Sequence, residues 1–299
     1  MMRFLFVFFF FITSSCVETI KTLPNAIGSL SEVIFVVDDV LWGQSIQDLV
    51  HETFAVSIEG TSQNEPAFRI VQVNHQEFKS ILKTHKNIVI ITEGVKQSSQ
   101  QNKWANNQLV IQLNAEKNHT LLIRDFLKVK DIFVQREIKE LKNKLVKTSN
   151  KELEQLINKK FNIETIIPNE YTIVQEEAEL FWVTYNPTKK EEIKNLLFFS
   201  FVPKQINFQE ELLIKVDSIF AQYLKGEREN SYVTIEPLYQ PVIIGNTIKG
   251  LWRLENGFMG GSFLVKYYFK GDKVVVAVGL IFAPNKSKRT FIKTLEAIL

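Results

Sequence analysis

The sequence predicts an α+β (or α/β) fold: mixed, largely antiparallel sheets with packed helices, in two halves of similar order. Three observations carry this. Residues 32–92 alternate short β-branched apolar runs with helical patterns. The second half is dense in strand-like runs with period-two alternation. Two amphipathic stretches, 208–224 and 288–299, then supply helices to cover the sheets. The 299 residues are 45% apolar and 23% charged, which is ordinary for a globular chain.

The elements follow in order. Glu32–Val37 (EVIFVV) reads as a buried strand ended by Asp38 and Asp39. Gln44–Phe54 reads as a helix, with Ile46, Leu49, Val50 and Phe54 on one face. Ser57–Pro66 reads as a loop, Phe68–Val73 as a strand, Gln76–Lys83 as a short helix and Asn87–Thr92 as a strand. The polar stretch Lys96–Asn107 reads as an exposed loop before a strand at Leu109–Leu113.

A helical region spans 120–160. Its expected apolar stripe is Ile132, Ile138, Leu141, Leu145, Leu153, Leu156 and Ile157, with a break where Ser149, Asn150 and Glu152 look like a new N-cap. Strands follow at Tyr171–Val174, Leu180–Tyr185 and Leu196–Val202, then the helix Phe208–Leu224. Val233–Leu238, Val242–Leu254, Ser262–Phe269 and Lys273–Phe282 read as further strands, with Gly271-Asp272 as a hairpin turn. Lys288–Leu299 closes as a helix. The polar run 186–195 (NPTKKEEIKN) is the expected linker between an N-terminal α/β half (31–185) and a C-terminal α+β half (196–299).

The first residues carry a location signal. Arg3 precedes nine unbroken apolar residues, Phe4–Ile12, and then Thr13, Ser14, Ser15 and Cys16. A charged start, a short apolar run and small residues describe a secretory signal over 1–15. The run is too short for a bilayer, which needs about 20 residues. Cys16 is the only cysteine in the chain, so no intrachain disulfide forms. The pattern resembles a lipobox, whose cysteine is acylated and becomes the new N-terminus. It departs in having Thr13 three places before the cysteine. An ordinary cleaved signal or a short uncleaved anchor are the alternatives. With acylation, 16–30 is a tether, and the membrane is the first partner, reached through a lipid. Val17, in place of Asp, favours the outer over the inner membrane.

Composition and motifs exclude several classes. A formal net charge of +3 gives no case for nucleic acid. There is no GxSxG elbow, P-loop, GxGxxG or HExxH spacing. The expectation is therefore no catalytic residue, no cofactor and no metal. Asp38 and Asp39, after a buried strand, are the acids an unrecognised hydrolase site would use. His51, His75, His85 and His119 read as surface or capping residues. The densest unusual stretch is Gly250–Phe263 (GLWRLENGFMGGSF). There Trp252, Arg253, Phe258, Met259, Gly260 and Gly261 form a candidate binding surface, with Trp42 beside Gly43 as a similar case. Lys286, Lys288 and Arg289, before the last helix, could hold an anion on helix amides, but cations at a helix start oppose its dipole, so they read as a solvated basic turn.

Several stretches carry a resemblance. They are LPNAIG (Leu23–Gly28), DDVLW (Asp38–Trp42), EPAF (Glu65–Phe68), KTHKNIVI (Lys83–Ile90), GLWRLENGFMGGSF and KRTFIKTLEAIL (Lys288–Leu299). Together they make the chain similar to the DUF4837 family, lipoproteins of Bacteroidetes with no assigned function. It departs at Ser262, where the family shows Pro, and at Lys86, where it shows Arg. The resemblance implies a lipid-anchored envelope location and carries over no catalytic residue. The expected function is that of a non-enzymatic envelope lipoprotein with a binding or scaffold role, its partner an envelope protein or a small ligand, with a carboxylate-based hydrolase as the alternative.

Overall fold

The computed structural model describes residues 22–116, 118–204 and 207–299. The expected export signal, Cys16 and the first part of the tether lie outside the described residues. Strand β1 (Glu32–Val36) is apolar on both faces, as a central parallel strand must be. Val33 and Phe35 face one core, Ile34 and Val36 the other. It pairs in parallel with β2 (Arg69–Val73) and β3 (Asn87–Thr92), and β3 pairs in parallel with β5 (Leu109–Asn114).

Strand β4 (Ser98–Gln101) adds an antiparallel edge, giving the order β2-β1-β3-β5-β4. It lies where a loop was expected. All four of its residues are exposed, so no apolar alternation marks it. The short helix expected at 76–83 is instead a 3₁₀ turn at Ser80–Thr84, because Asn74 Oδ1 accepts the Glu77 N–H and bends the preceding segment.

After β1 the chain winds through α1 (Asp39–Leu41), a π-helical turn (Trp42–Ile46) and α2 (Gln47–Phe54). Helix α3 (His119–Leu145) packs beside α2 on the same sheet face. Phe35, Phe54 and Phe126 meet edge to face there, with centroids 5.1, 6.1 and 6.2 Å apart. The buried stripe of α3 is Leu122, Phe126, Val129, Phe133 and Glu137. Of the expected stripe, Leu153 and Ile157 are buried and Leu145 packs against the core, whereas Ile132 is 48% exposed and Leu156 also faces solvent. A glutamate ends the buried row, so apolar spacing alone does not mark it.

The second sheet has eight strands, all pairs antiparallel: β6 (Thr172–Glu177), β7 (Leu180–Tyr185), β8 (Ile193–Phe201), β9 (Tyr232–Ile235), β10 (Val242–Ile244), β11 (Thr247–Glu255), β12 (Gly260–Lys270) and β13 (Lys273–Phe282). Their order is β10-β11-β12-β13-β8-β7-β6, with β9 on the free part of β11. Gly245 at φ +61 turns β10 into β11, where one long strand was expected. The expected linker 186–195 holds the β7–β8 hairpin and the start of β8. Strands β6 and β7 thus belong with the C-terminal sheet, and the change of sheet comes earlier, between β5 and β6. The halves do not repeat one plan, since one sheet is mainly parallel and the other antiparallel. The fold class is α+β.

Helices α4 (Lys151–Phe161) and α6 (Lys288–Ile298) cover one face of this sheet, and α5 (Phe208–Tyr223) covers part of the other. Asn150 caps α4 by accepting the Leu153 N–H, as the sequence suggested. Helix α6 also meets α3, and two acids of the N-terminal half hold it. Glu137, 1% exposed, accepts from Lys293 Nζ (2.5 Å), Ser31 N (2.8 Å), Ser31 Oγ (3.3 Å) and Asn87 Nδ2 (3.1 Å). Burial holds Lys293 below the ordinary lysine range, and the Glu137 carboxylate works against that shift. Glu65 accepts from Ser287 Oγ (2.6 Å) and from the N–H groups of Lys288 (2.7 Å) and Arg289 (3.0 Å). Among the described residues no helix is long and apolar enough to cross a membrane.

Candidate binding groove

Side chains two apart on a strand share a sheet face. Helix α5 covers one face of the antiparallel sheet only as far as its C-cap, Leu224. Asp217 of α5 pins it there, accepting from Thr234 Oγ1 (2.8 Å) and Ile235 N (2.6 Å) on β9. Past Leu224 the chain loops away through Gly226–Ser231. The same face continues uncovered through Trp182 on β7, Ile193 and Asn195 on β8, Phe282 on β13, and Trp252 and Leu254 on β11. A cavity of about 620 Å³ lies there, closed at one end by the β11–β12 hairpin. That is within the range of small-ligand sites, roughly 300–1,000 Å³.

Both indole N–H groups are satisfied within the protein. Trp252 Nε1 donates to Ile281 O (3.3 Å) and Trp182 Nε1 to Asn195 Oδ1 (3.0 Å). This frees their apolar surfaces to form wall. Ser231 is 3% exposed, lines the cavity, and its hydroxyl has no hydrogen-bond partner among the described residues. It is a polar handle in an otherwise mainly apolar wall.

The hairpin tip is shaped by its glycines. A Cβ at Gly257 would overlap Leu254 Cδ2, and one at Gly261 would overlap the Ile281 carbonyl oxygen. Gly261 thus lets β12 lie close to β13 beneath Trp252. Phe258 at the tip is 91% exposed, with the Arg228 guanidinium 5.2 Å from its ring centroid. On the far side of the tip is a more polar concavity of about 700 Å³, lined by Arg253, Glu255 and Gly260 and sharing Arg228, Phe258 and Met259 with the first. Arg253 Nη2 pairs there with Glu255 Oε2 at 2.8 Å.

The structure brings together Trp252, Phe258 and Met259 in the groove, and Arg253, Phe258, Met259 and Gly260 across the tip. Gly261 lies beneath them. Trp42 is elsewhere, packed between Phe35 and His51 on the parallel sheet. Trp182, Asn195, Arg228 and Ser231 were not singled out from the sequence. Nothing in a linear reading sets β7 opposite β11.

Asp38 and Asp39 lie at the C-terminal end of β1, where parallel α/β sheets commonly hold ligands. Asp39 accepts from Gln72 Nε2 (2.9 Å) and Asn74 Nδ2 (3.3 Å). Among the described residues no three His, Cys, Asp or Glu side chains gather as metal ligands. His85 is not a surface residue: it is 5% exposed, with Nε2 2.7 Å from Glu32 Oε1. The basic turn before α6 does meet an anion, and that anion is Glu65 of the same chain. Burial works to raise the Glu65 pKa. Hydrogen bonds from Ser287 and the Lys288 and Arg289 amides, with the charge of Arg289, outweigh it and hold the group below its usual 4.5.

The sequence matches two family descriptions. The domain of unknown function DUF4837 covers residues 148–299, and the domain of unknown function DUF8532 covers residues 26–147. Their junction falls between α3 and α4, so each match contains one of the two sheets. No curated protein matches the chain.

Proposed function

For a chain that belongs to the DUF4837 family, we propose the role of a lipid-anchored cell-envelope protein that binds a ligand and does not transform it. The groove past the end of α5 carries the reading. It offers apolar wall from Trp182, Trp252 and Phe282, an adaptable Met259, and one buried, unpartnered hydroxyl on Ser231. A ligand with an apolar body and one hydrogen-bonding group fits this chemistry, since an unpartnered buried hydroxyl gains most from a bond supplied by the ligand.

The anchor reading rests on the Phe4–Ile12 run, the small residues after it and Cys16. Two or three acyl chains, at about 0.8 kcal/mol per buried CH₂, hold a folded body at a membrane indefinitely. The outer membrane is the favoured site. The hydrolase alternative has less support, because both hydrogen bonds to the Asp39 carboxylate among the described residues come from amide side chains.

Titration with the apolar dye anilinonaphthalene sulfonate tests the groove, read by energy transfer from Trp182 and Trp252. Binding that falls severalfold in Phe258→Asp, a substitution at an exposed tip, is the expected result. Equal binding in both proteins contradicts it.

A further inference from the structure

We infer that the N-terminal edge of the parallel sheet is the face that lies against the lipid bilayer. The inference rests on the reading of Cys16 as the acylated residue and goes beyond it, because an anchor alone does not orient a body.

The first described residues are fixed to this edge. Ala26 N donates to Asn106 O (2.8 Å), Asn106 N to Pro24 O (2.7 Å), Ile27 N to Thr84 O (3.0 Å) and Lys86 N to Ile27 O (2.8 Å). Asn106 Nδ2 also donates to Leu23 O (2.8 Å). The chain therefore leaves the body beside the starts of β3 and β5. From Cys16 to Leu23 the backbone spans about 25 Å at full stretch. A body of this size is about 50 Å across. A tether shorter than the body, fixed at one edge, keeps that edge nearest the membrane.

The chemistry of the edge suits lipid. Trp104 sits there with Lys103 Nζ 4.5 Å and Lys83 Nζ 5.6 Å from its ring centroid. In the turn that carries Lys83, Ile81 is 67% exposed, and on the strap Ile27 is 42% exposed. Tryptophan with lysine is the pair that settles at a membrane interface. No Asp or Glu occurs between Phe78 and Thr92 or between Gly94 and Ala115. The acids that do reach this edge are paired within the protein, Glu32 with His85 and Arg69, Glu137 with Lys293 of α6, and Glu140 with Lys86 and Arg136. Each cation near an anionic surface adds to the attraction. Exposed apolar side chains beside Lys83 and Lys103, which pair with no acid among the described residues, fit an anionic bilayer better than a protein surface that must match them charge for charge.

The test uses the full chain, made in a host that acylates lipoproteins and reconstituted in vesicles of phosphatidylethanolamine and phosphatidylglycerol. Palmitate labelling first reports whether Cys16 is acylated. Nitroxide labels are then placed at Ile81→Cys, on the proposed face, and at Leu238→Cys, which is 94% exposed in the other half. Acylation leaves each introduced cysteine as the one free thiol. The ratio of relaxation by oxygen, which partitions into lipid, to relaxation by a water-soluble nickel complex is the readout. The proposal expects that ratio to be severalfold higher at 81 than at 238, and to fall when Lys83→Glu and Lys103→Glu are added. An acylated, vesicle-bound protein with equal ratios overturns the orientation and leaves the anchor standing. A label at 81 shielded from both agents means protein covers the face, and also overturns it. A chain that takes up no palmitate overturns both readings.

Discussion

Replacing Lys293 with methionine removes one charge from the contact that joins the two halves, and its cost follows from the geometry. Methionine keeps most of the apolar stem, so packing against Phe68, whose ring centroid lies 4.6 Å from Lys293 Nζ, is largely kept. The Glu137 carboxylate stays 1% exposed, with the neutral donors of Ser31 and Asn87 but no cation. Breaking one side of a buried pair typically costs about 3–5 kcal/mol, because a buried charge is left uncompensated. Removing both charges, as Glu137→Leu with Lys293→Met, avoids that penalty and should recover most of the loss, less the orphaned amide and hydroxyl of Asn87 and Ser31. Urea unfolding followed by tryptophan fluorescence measures both variants. A single variant that loses less than about 1 kcal/mol, or a double variant that falls as far as the single one, would refute the reasoning.

Other expectations are local. Gly261→Ala places a methyl group on the Ile281 carbonyl oxygen, so it should cost about 1–3 kcal/mol and loosen Trp252; unchanged stability would show that β12 and β13 have room to part. Glu65→Ala removes the acceptor of three hydrogen bonds at the start of α6 and should cost about 1.5–3 kcal/mol by the same unfolding assay. The Glu65 carboxyl is held below its unfolded value of 4.5, so its contribution is complete above that pH and fades as pH falls through the lower folded value. The wild type should therefore lose stability in that acid window by more than Glu65→Ala does. Gly28→Ala, at φ +107 and against the His85 ring, should displace the N-terminal strap and speed proteolysis after residue 22.

How much of this was legible in the sequence depended on whether a residue's neighbours were near in the chain. Strand β1, helix α2 and the β12–β13 hairpin could be read directly, because apolar period and turn glycines are local signals. Strand β4 was invisible, since an exposed edge strand of Ser and Gln needs only its backbone to pair. The α3 stripe was legible only in part, because Glu137 occupies a core position, and what makes it acceptable there is Lys293, in another helix. The groove was half legible. Gly257, Phe258 and Met259 mark a tight tip in sequence. Trp182, Asn195 and Ser231 enter only because β7, β8 and the loop after α5 converge on β11 in space. The basic turn at Lys288 and Arg289 reads as solvated in the sequence, and it instead meets the Glu65 carboxylate of the EPAF stretch, far off in the chain.

The groove's role as a ligand site is tested most directly by native mass spectrometry of the full chain released gently from cell envelopes, alongside Met259→Arg. Met259 is half-buried at the groove wall, and an arginine there sets a charge in the apolar space. The account predicts a non-covalent adduct of small-ligand mass on the wild type that is lost from the variant while both remain folded. Bare mass for both proteins, or the same adduct on both, would contradict it.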